Sequence, residues 1–165
     1  MIRRTILLLA FSITSLFAGE TEARLVELNA YWSEVSRTVN EGDFEGYRAT
    51  CHPDGVLISG TKSTCYPLAD ALKKWQSEFD DTKAGKIKAS VEFRFARRWG
   101  SPATAHETGM FCYTATDADG GSKTAYIFLE ALLVKKDGKW LILMENQMSE
   151  GTIEDWHKLL PAPSE

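Results

Sequence analysis

Between residues 89 and 149 the chain alternates apolar and polar side chains in four runs separated by turn residues, and no other stretch constrains the fold as strongly. Residues 90–97 put Val91, Phe93 and Phe95 on one face and Glu92, Arg94 and Ala96 on the other, since successive side chains of a strand point oppositely. After the break at Gly100-Ser101-Pro102, residues 103–116 carry Phe111 and Tyr113 on one parity and His106, Thr108, Met110 and Cys112 on the other. Asp119-Gly120-Gly121 marks a loop. Residues 124–136 are apolar on both parities, which predicts a central strand covered on both sides. Asp137-Gly138 supplies the positive φ angles of a tight hairpin turn, and residues 140–148 return antiparallel.

The preceding residues read as the cover of this sheet. Leu25, Leu28, Trp32, Val35 and Val39 recur at helical spacing within residues 21–40. Gly42 ends that helix, Asp43 caps a second, shorter one bearing Phe44, Tyr47 and Cys51, and Pro53-Asp54-Gly55 stops it. Residues 56–59 read as a brief strand and 60–64 as a loop. Pro67 opens a third helix with Leu68, Ala71, Leu72, Trp75 and Phe79 on one side. A short last helix over 152–160 stops at Pro161, and the tail 162–165 is expected to be loose. The pattern predicts one α+β domain over residues 21–160.

Residues 1–18 read differently. Arg3 and Arg4 precede the apolar run 6–17, and Ala18-Gly19 follows, the layout of a secretory signal peptide too short to span a bilayer. Cleavage near Ala18 is expected, giving an exported protein, periplasmic or extracellular, with no stable membrane anchor; the rival reading is an uncleaved N-terminal anchor. Loss of Arg3 and Arg4 leaves 17 basic against 23 acidic residues, a net charge of −6, which is the wrong sign for a nucleic-acid binder. Cys51, Cys65 and Cys112 form an odd set, in which Cys51–Cys65 is the plausible bridge because the two flank one short strand. Their spacing fits no zinc motif, and His52, His106 and His157 are scattered, so neither metal nor cofactor is expected.

Four segments share an order and spacing: Val39-Asn40-Glu41-Gly42-Asp43-Phe44-Glu45, the His52-Pro53-Asp54-Gly55-Val56 turn, the helix over 69–75, and the Asp137-Gly138-Lys139-Trp140 hairpin. Through them the chain resembles the nuclear transport factor 2-like superfamily, which includes ketosteroid isomerases and SnoaL-type polyketide cyclases, over about residues 25–149. The resemblance implies a cone: three N-terminal helices packed on a strongly curved antiparallel sheet, a pocket on the concave side, and a homodimer through the other sheet face. It does not assign an activity, because this fold hosts enzymes, scaffolds and transport adaptors. Ungapped superposition of residues 39–45 places the isomerase's catalytic aspartate at Ser59 and its oxyanion tyrosine at Val35, and neither side chain can do that work.

Several residues carry both a plain and a functional reading. Glu130 is the one charge in the apolar run 126–134; it is a structural ion pair, with Arg94 as partner, or a carboxyl whose pKa burial raises for proton transfer. His106 is a satisfied structural histidine or a base. Glu145, Asn146 and Gln147 end the last strand as solvated edge residues or ligand contacts, and Tyr31, Trp32, Tyr47 and Trp75 lie on helix faces as core or as a ligand platform. Tyr31, Trp75, Arg94, His106, Glu130 and Asn146 form the candidate ligand-binding set, with no catalytic residue assigned. The favoured function is binding of a small apolar or amphipathic ligand; the alternative is a cofactor-free lyase, isomerase or cyclase using Glu130 or His106.

Overall fold

The computed structural model describes the backbone of residues 2–161 and the side chains of residues 21–159; the leader's side chains and the tail 162–165 lie outside the described residues. Helix α1 (Ile2–Glu41) buries Leu28, Trp32, Val35 and Val39 of the stripe expected from helical spacing, with Tyr31 beside them, while Leu25 is only half-buried. It ends at Gly42, whose φ is +66°; a Cβ there would lie 2.4 Å from the backbone N of Lys83, so only glycine fits the close approach. The Asp43 side chain accepts the Gly46 N–H at 3.0 Å and caps α2 (Phe44–Ala49), as read from the sequence.

Strand β1 (Cys51–Ser59) is longer than expected, and β2 (Thr64–Pro67) folds back on it with Ile58 opposite Cys65. Residues 60–64, expected as a plain loop, are thus largely the turn of a hairpin. Helix α3 (Leu68–Lys83) buries Leu68, Ala71, Leu72 and Phe79. The main strands β3 (Ile87–Gly100), β4 (Thr104–Asp117), β5 (Ser122–Lys136) and β6 (Lys139–Glu150) follow, then α4 (Ile153–His157) and the two-residue β7 (Leu160–Pro161). Sheet order is β2-β1-β6-β5-β4-β3-β7, so β5 is central, as its two apolar faces demand. Lys136 pairs with Lys139 across Asp137 and Gly138, both at positive φ, as the tight turn requires.

One expectation is corrected, and one open cysteine pairing is resolved. The sheet is mixed, because β1 pairs parallel with β6, a pairing about ninety residues apart in sequence that no local pattern encodes. Cys51, Cys65 and Cys112 are all free: Cys51 opens β1 while Cys65 pairs near its far end, beyond the reach of a disulfide.

Curvature comes from register shifts at Phe95/Arg97 in β3 and at two places in β6, where Met148 and Leu143 are the extra residues opposite Phe128/Leu129 and Leu132/Leu133 of β5. At the first of these Gly109 is obligatory, since its Cβ would sit 1.9 Å from the Arg94 carbonyl oxygen. Leu129, Ala131 and Leu133 of β5 face the helices and are buried, whereas Phe128, Glu130 and Leu132 face outward and are half-buried. Helix α4, closed by a Thr152/Asp155 capping box, covers one end of that outer face, with Trp156 against Arg94 (4.6 Å) and Tyr126 (6.0 Å).

Candidate functional site

The concave side of the sheet does not close completely against the helices. A cavity of about 290 Å³ remains, walled by Tyr31, Trp32, Val35 and Val39 of α1, Tyr47 of α2, and Trp75, Glu78, Phe79 and Thr82 of α3. Its floor is the inner face of the sheet, with Val91, Phe93, Phe111, Tyr113, Ile127 and Leu129 among the apolar residues and Glu145 and Gln147 as polar ones. The aromatic rings fix one another in tilted or edge-on contacts: Trp32–Phe93 at 4.4 Å, Tyr47–Phe79 at 5.0 Å and Tyr47–Trp75 at 6.1 Å. Tyr31 donates its hydroxyl to the Thr50 carbonyl at 3.2 Å, and the Tyr113 hydroxyl donates to Glu78 at 2.6 Å, linking β4 to α3.

Glu145 is the chemically distinctive residue of this wall. Its side chain is buried, and the hydrogen bond it receives comes from Gln147 Nε2 at 2.7 Å. Burial pushes its carboxyl above the usual range, and the Gln147 bond offsets this only in part. The neighbouring hydroxyl and thiol groups stay protonated: burial raises Tyr31 and Tyr47 well above the ordinary phenol and lifts Cys51 to about 12. Glu145 is therefore the carboxyl of this wall whose charged form burial disfavours.

This arrangement has a pH signature. The folded state holds the Glu145 proton to higher pH than the unfolded chain, whose carboxyl titrates near 4.5. Stability consequently falls as pH rises from that value through the raised one, and stays lowered above it. Glu145→Gln removes the loss, so the variant is expected to be more stable than the native protein at about pH 7 and equal to it at about pH 4. Urea unfolding at both pH values checks this; a variant less stable at pH 7 would contradict it.

The candidate residues divide between the two faces. Tyr31 and Trp75 line the cavity. Arg94, His106, Glu130 and Asn146 do not, because strand alternation turns them to the outer face; the cavity expected around Glu130 lies on the other side of its own strand. Three of these four nevertheless meet: His106 Nε2 lies 2.8 Å from Glu130 Oε1, and Asn146 Nδ2 donates to Oε2 at 3.0 Å. His106 replaces the expected Arg94 as ion-pair partner, and the Glu130 pKa is lowered by the His106 and Asn146 bonds, not raised by burial. Arg94 instead donates to the Trp156 carbonyl at 3.1 Å and holds α4 in place.

Glu145 and Gln147 displace Asn146 as the polar residues of the cavity for a local reason. Trp140 and Ile142 set an inward parity that would carry Asn146 inside, but the register shift at Leu143 inverts it. Val35, at the isomerase's tyrosine position, lines the cavity, whereas Ser59 is not among the lining residues and its hydroxyl lies 3.3 Å from that of Thr61. Among the described residues no group of His, Cys, Asp and Glu is placed to hold a metal ion, and no helix is long and apolar enough to cross a membrane.

No protein-family model and no curated protein matches the chain in sequence. Solved structures do match it in shape. A function-unknown protein from Mycobacterium tuberculosis superposes with a TM-score of 0.64 at 17% identity, covering 85% of this chain and 79% of its own. A ketosteroid isomerase-like protein from Erwinia carotovora gives 0.55 at 19% identity (74% and 92%), and ActVI-ORFA from Streptomyces coelicolor gives 0.57 at 19% (73% and 92%). An NTF-2-like protein of unknown function from Shewanella oneidensis gives 0.56 at 16% identity (73% and 94%). The chain has the α+β fold of the nuclear transport factor 2-like superfamily, with a curved mixed sheet; at these identities the likeness is one of fold.

Proposed function

We propose that this is an exported small-molecule-binding protein whose ligand occupies the cavity between the helices and the inner sheet face. The observation that carries the reading is the aromatic-walled space of about 290 Å³ that the core leaves open around one buried carboxyl, at the small end of the range for ligand pockets. The ligand is a small apolar or amphipathic molecule, since rings dominate the walls and few polar groups interrupt them.

A second reading, cofactor-free proton transfer, is favoured by the raised pKa of Glu145, a property suited to a general base or acid. Glu130 and His106 drop out of that reading because they lie off the cavity, and Glu145 takes their place.

Two further proposals accompany the first. The leader is removed on export, and two copies associate through the outer sheet face. There Val56, Ile58, Leu132, Leu141 and Met144 are half-buried and Met148 is 38% exposed, while α4 covers only the end near Arg94 and Tyr126. Joining two such faces removes this apolar surface from water. Native mass spectrometry of protein recovered from its own host tests all three proposals in one spectrum. The expected species is a dimer of chains lacking the leader, carrying an added small mass. A bare, full-length monomer at micromolar concentration would contradict the account.

A further inference from the structure

The charge inventory of the cavity narrows the ligand class. Glu145 and Glu78 both line it, and none of its lining residues is basic. Arg94, which the sequence offered as a pocket cation, is spent on the carbonyls of Trp156 and Leu159, and Arg98 is paired with Glu107. Glu145 is thus a buried carboxyl that receives an amide hydrogen bond and no ion pair among the described residues. The same cavity is lined by the rings of Trp32, Tyr47, Trp75 and Phe93, and aromatic faces carry partial negative charge and attract cations.

We infer that the cavity selects a small organic cation, an apolar amine bound as its ammonium, with Glu145 as counter-ion and the aromatic rings around its body. The inference rests on the reading of the cavity as a ligand site. An ammonium restores to Glu145 the partner that burial denies it, and the Gln147 carbonyl oxygen, left free by the amide's donation to Glu145, can accept a second ammonium N–H. An anionic ligand meets two carboxyls and no compensating charge. A neutral alcohol can hydrogen-bond to Glu145 but gains neither the ion pair nor the cation–π attraction. When the carboxyl is protonated beforehand, binding an ammonium expels that proton to solvent, so charge balances within the site.

Three probes of one shape and different charge test this: 4-phenylbutylamine, 4-phenylbutanol and 4-phenylbutyrate, titrated calorimetrically into the full protein at neutral pH. The amine is expected to bind about tenfold or more tighter than the alcohol, and the carboxylate not measurably. In Glu145→Gln the amine-to-alcohol ratio is expected to fall to within about threefold of unity, with thermal unfolding confirming that the variant is folded. At about pH 5 the amine should release protons on binding the native protein and not the variant. Alcohol binding equal to amine binding, or an amine preference that survives Glu145→Gln, overturns the assignment of the cation but leaves the cavity as the site. Failure of all three probes to bind at millimolar concentration overturns both.

Discussion

Glu107→Ala is expected to lower the free energy of unfolding by about 3–5 kcal/mol, the cost of removing one partner of a buried ion pair. Glu107 is fully buried on the inner face of β4, where it accepts Trp32 Nε1–H at 2.6 Å and Arg98 Nε–H at 2.5 Å. Arg98 also donates to Asn29, and Arg24 donates to the Arg98 carbonyl, so this one carboxylate ties α1 to both β3 and β4. The network has no slack, because Arg24 Nε and Arg98 Nη2 are already buried without a partner. Alanine would leave the Arg98 guanidinium uncompensated and the indole N–H of Trp32 unsatisfied. Urea denaturation followed by circular dichroism measures the change, with the slope on denaturant unaltered. An exposed pair such as Lys73–Asp70 provides the contrast, since solvent screens it and its removal should leave stability almost unchanged. A loss that small at Glu107 would contradict the burial of the network.

Filling the cavity is expected to abolish ligand retention while sparing the fold. Ala89 of β3 is buried and lines the cavity beside Val91 and near Phe79 of α3. In Ala89→Phe the added ring takes space a ligand would use, so affinity should fall about a hundredfold or more, against a stability change of no more than about 1–3 kcal/mol. The two substitutions thus separate the roles of the inner face: Glu107 holds the helices on, and the wall around Ala89 holds the ligand.

Local physics made much of the fold legible. The apolar stripes of α1 and α3, the Asp43 cap, the Asp137-Gly138 turn and the central place of β5 each follow from neighbours within a few residues. The parallel β1–β6 pair escaped because it joins distant segments through backbone bonds that leave no periodic trace. The β1–β2 hairpin escaped because β2 is four residues long, ends in proline, and is entered through Ser63, a non-glycine residue at positive φ.

The site was legible on its helical wall and illegible on its floor. Tyr31 and Trp75 could be read from helix faces. On the strands every assignment depends on parity, and each irregularity inverts it. Of the expected group, Glu130, His106 and Asn146 meet one another without Arg94, and they stand on the outer face, while the polar groups of the cavity are Glu145 and Gln147, one residue either side of Asn146. What could have marked Glu145 from sequence is its place opposite the buried Leu57, but that pairing belongs to the non-local β1–β6 ladder.

The central claim, that the space between the helices and the inner sheet face is the ligand site, is tested most directly by comparing native mass spectra of the protein and of Ala89→Phe, both produced in the native host. The account predicts a discrete small-molecule mass on the native protein that is missing from the variant, with both chains folded. The same mass retained by both, or bare protein in both spectra, would contradict it.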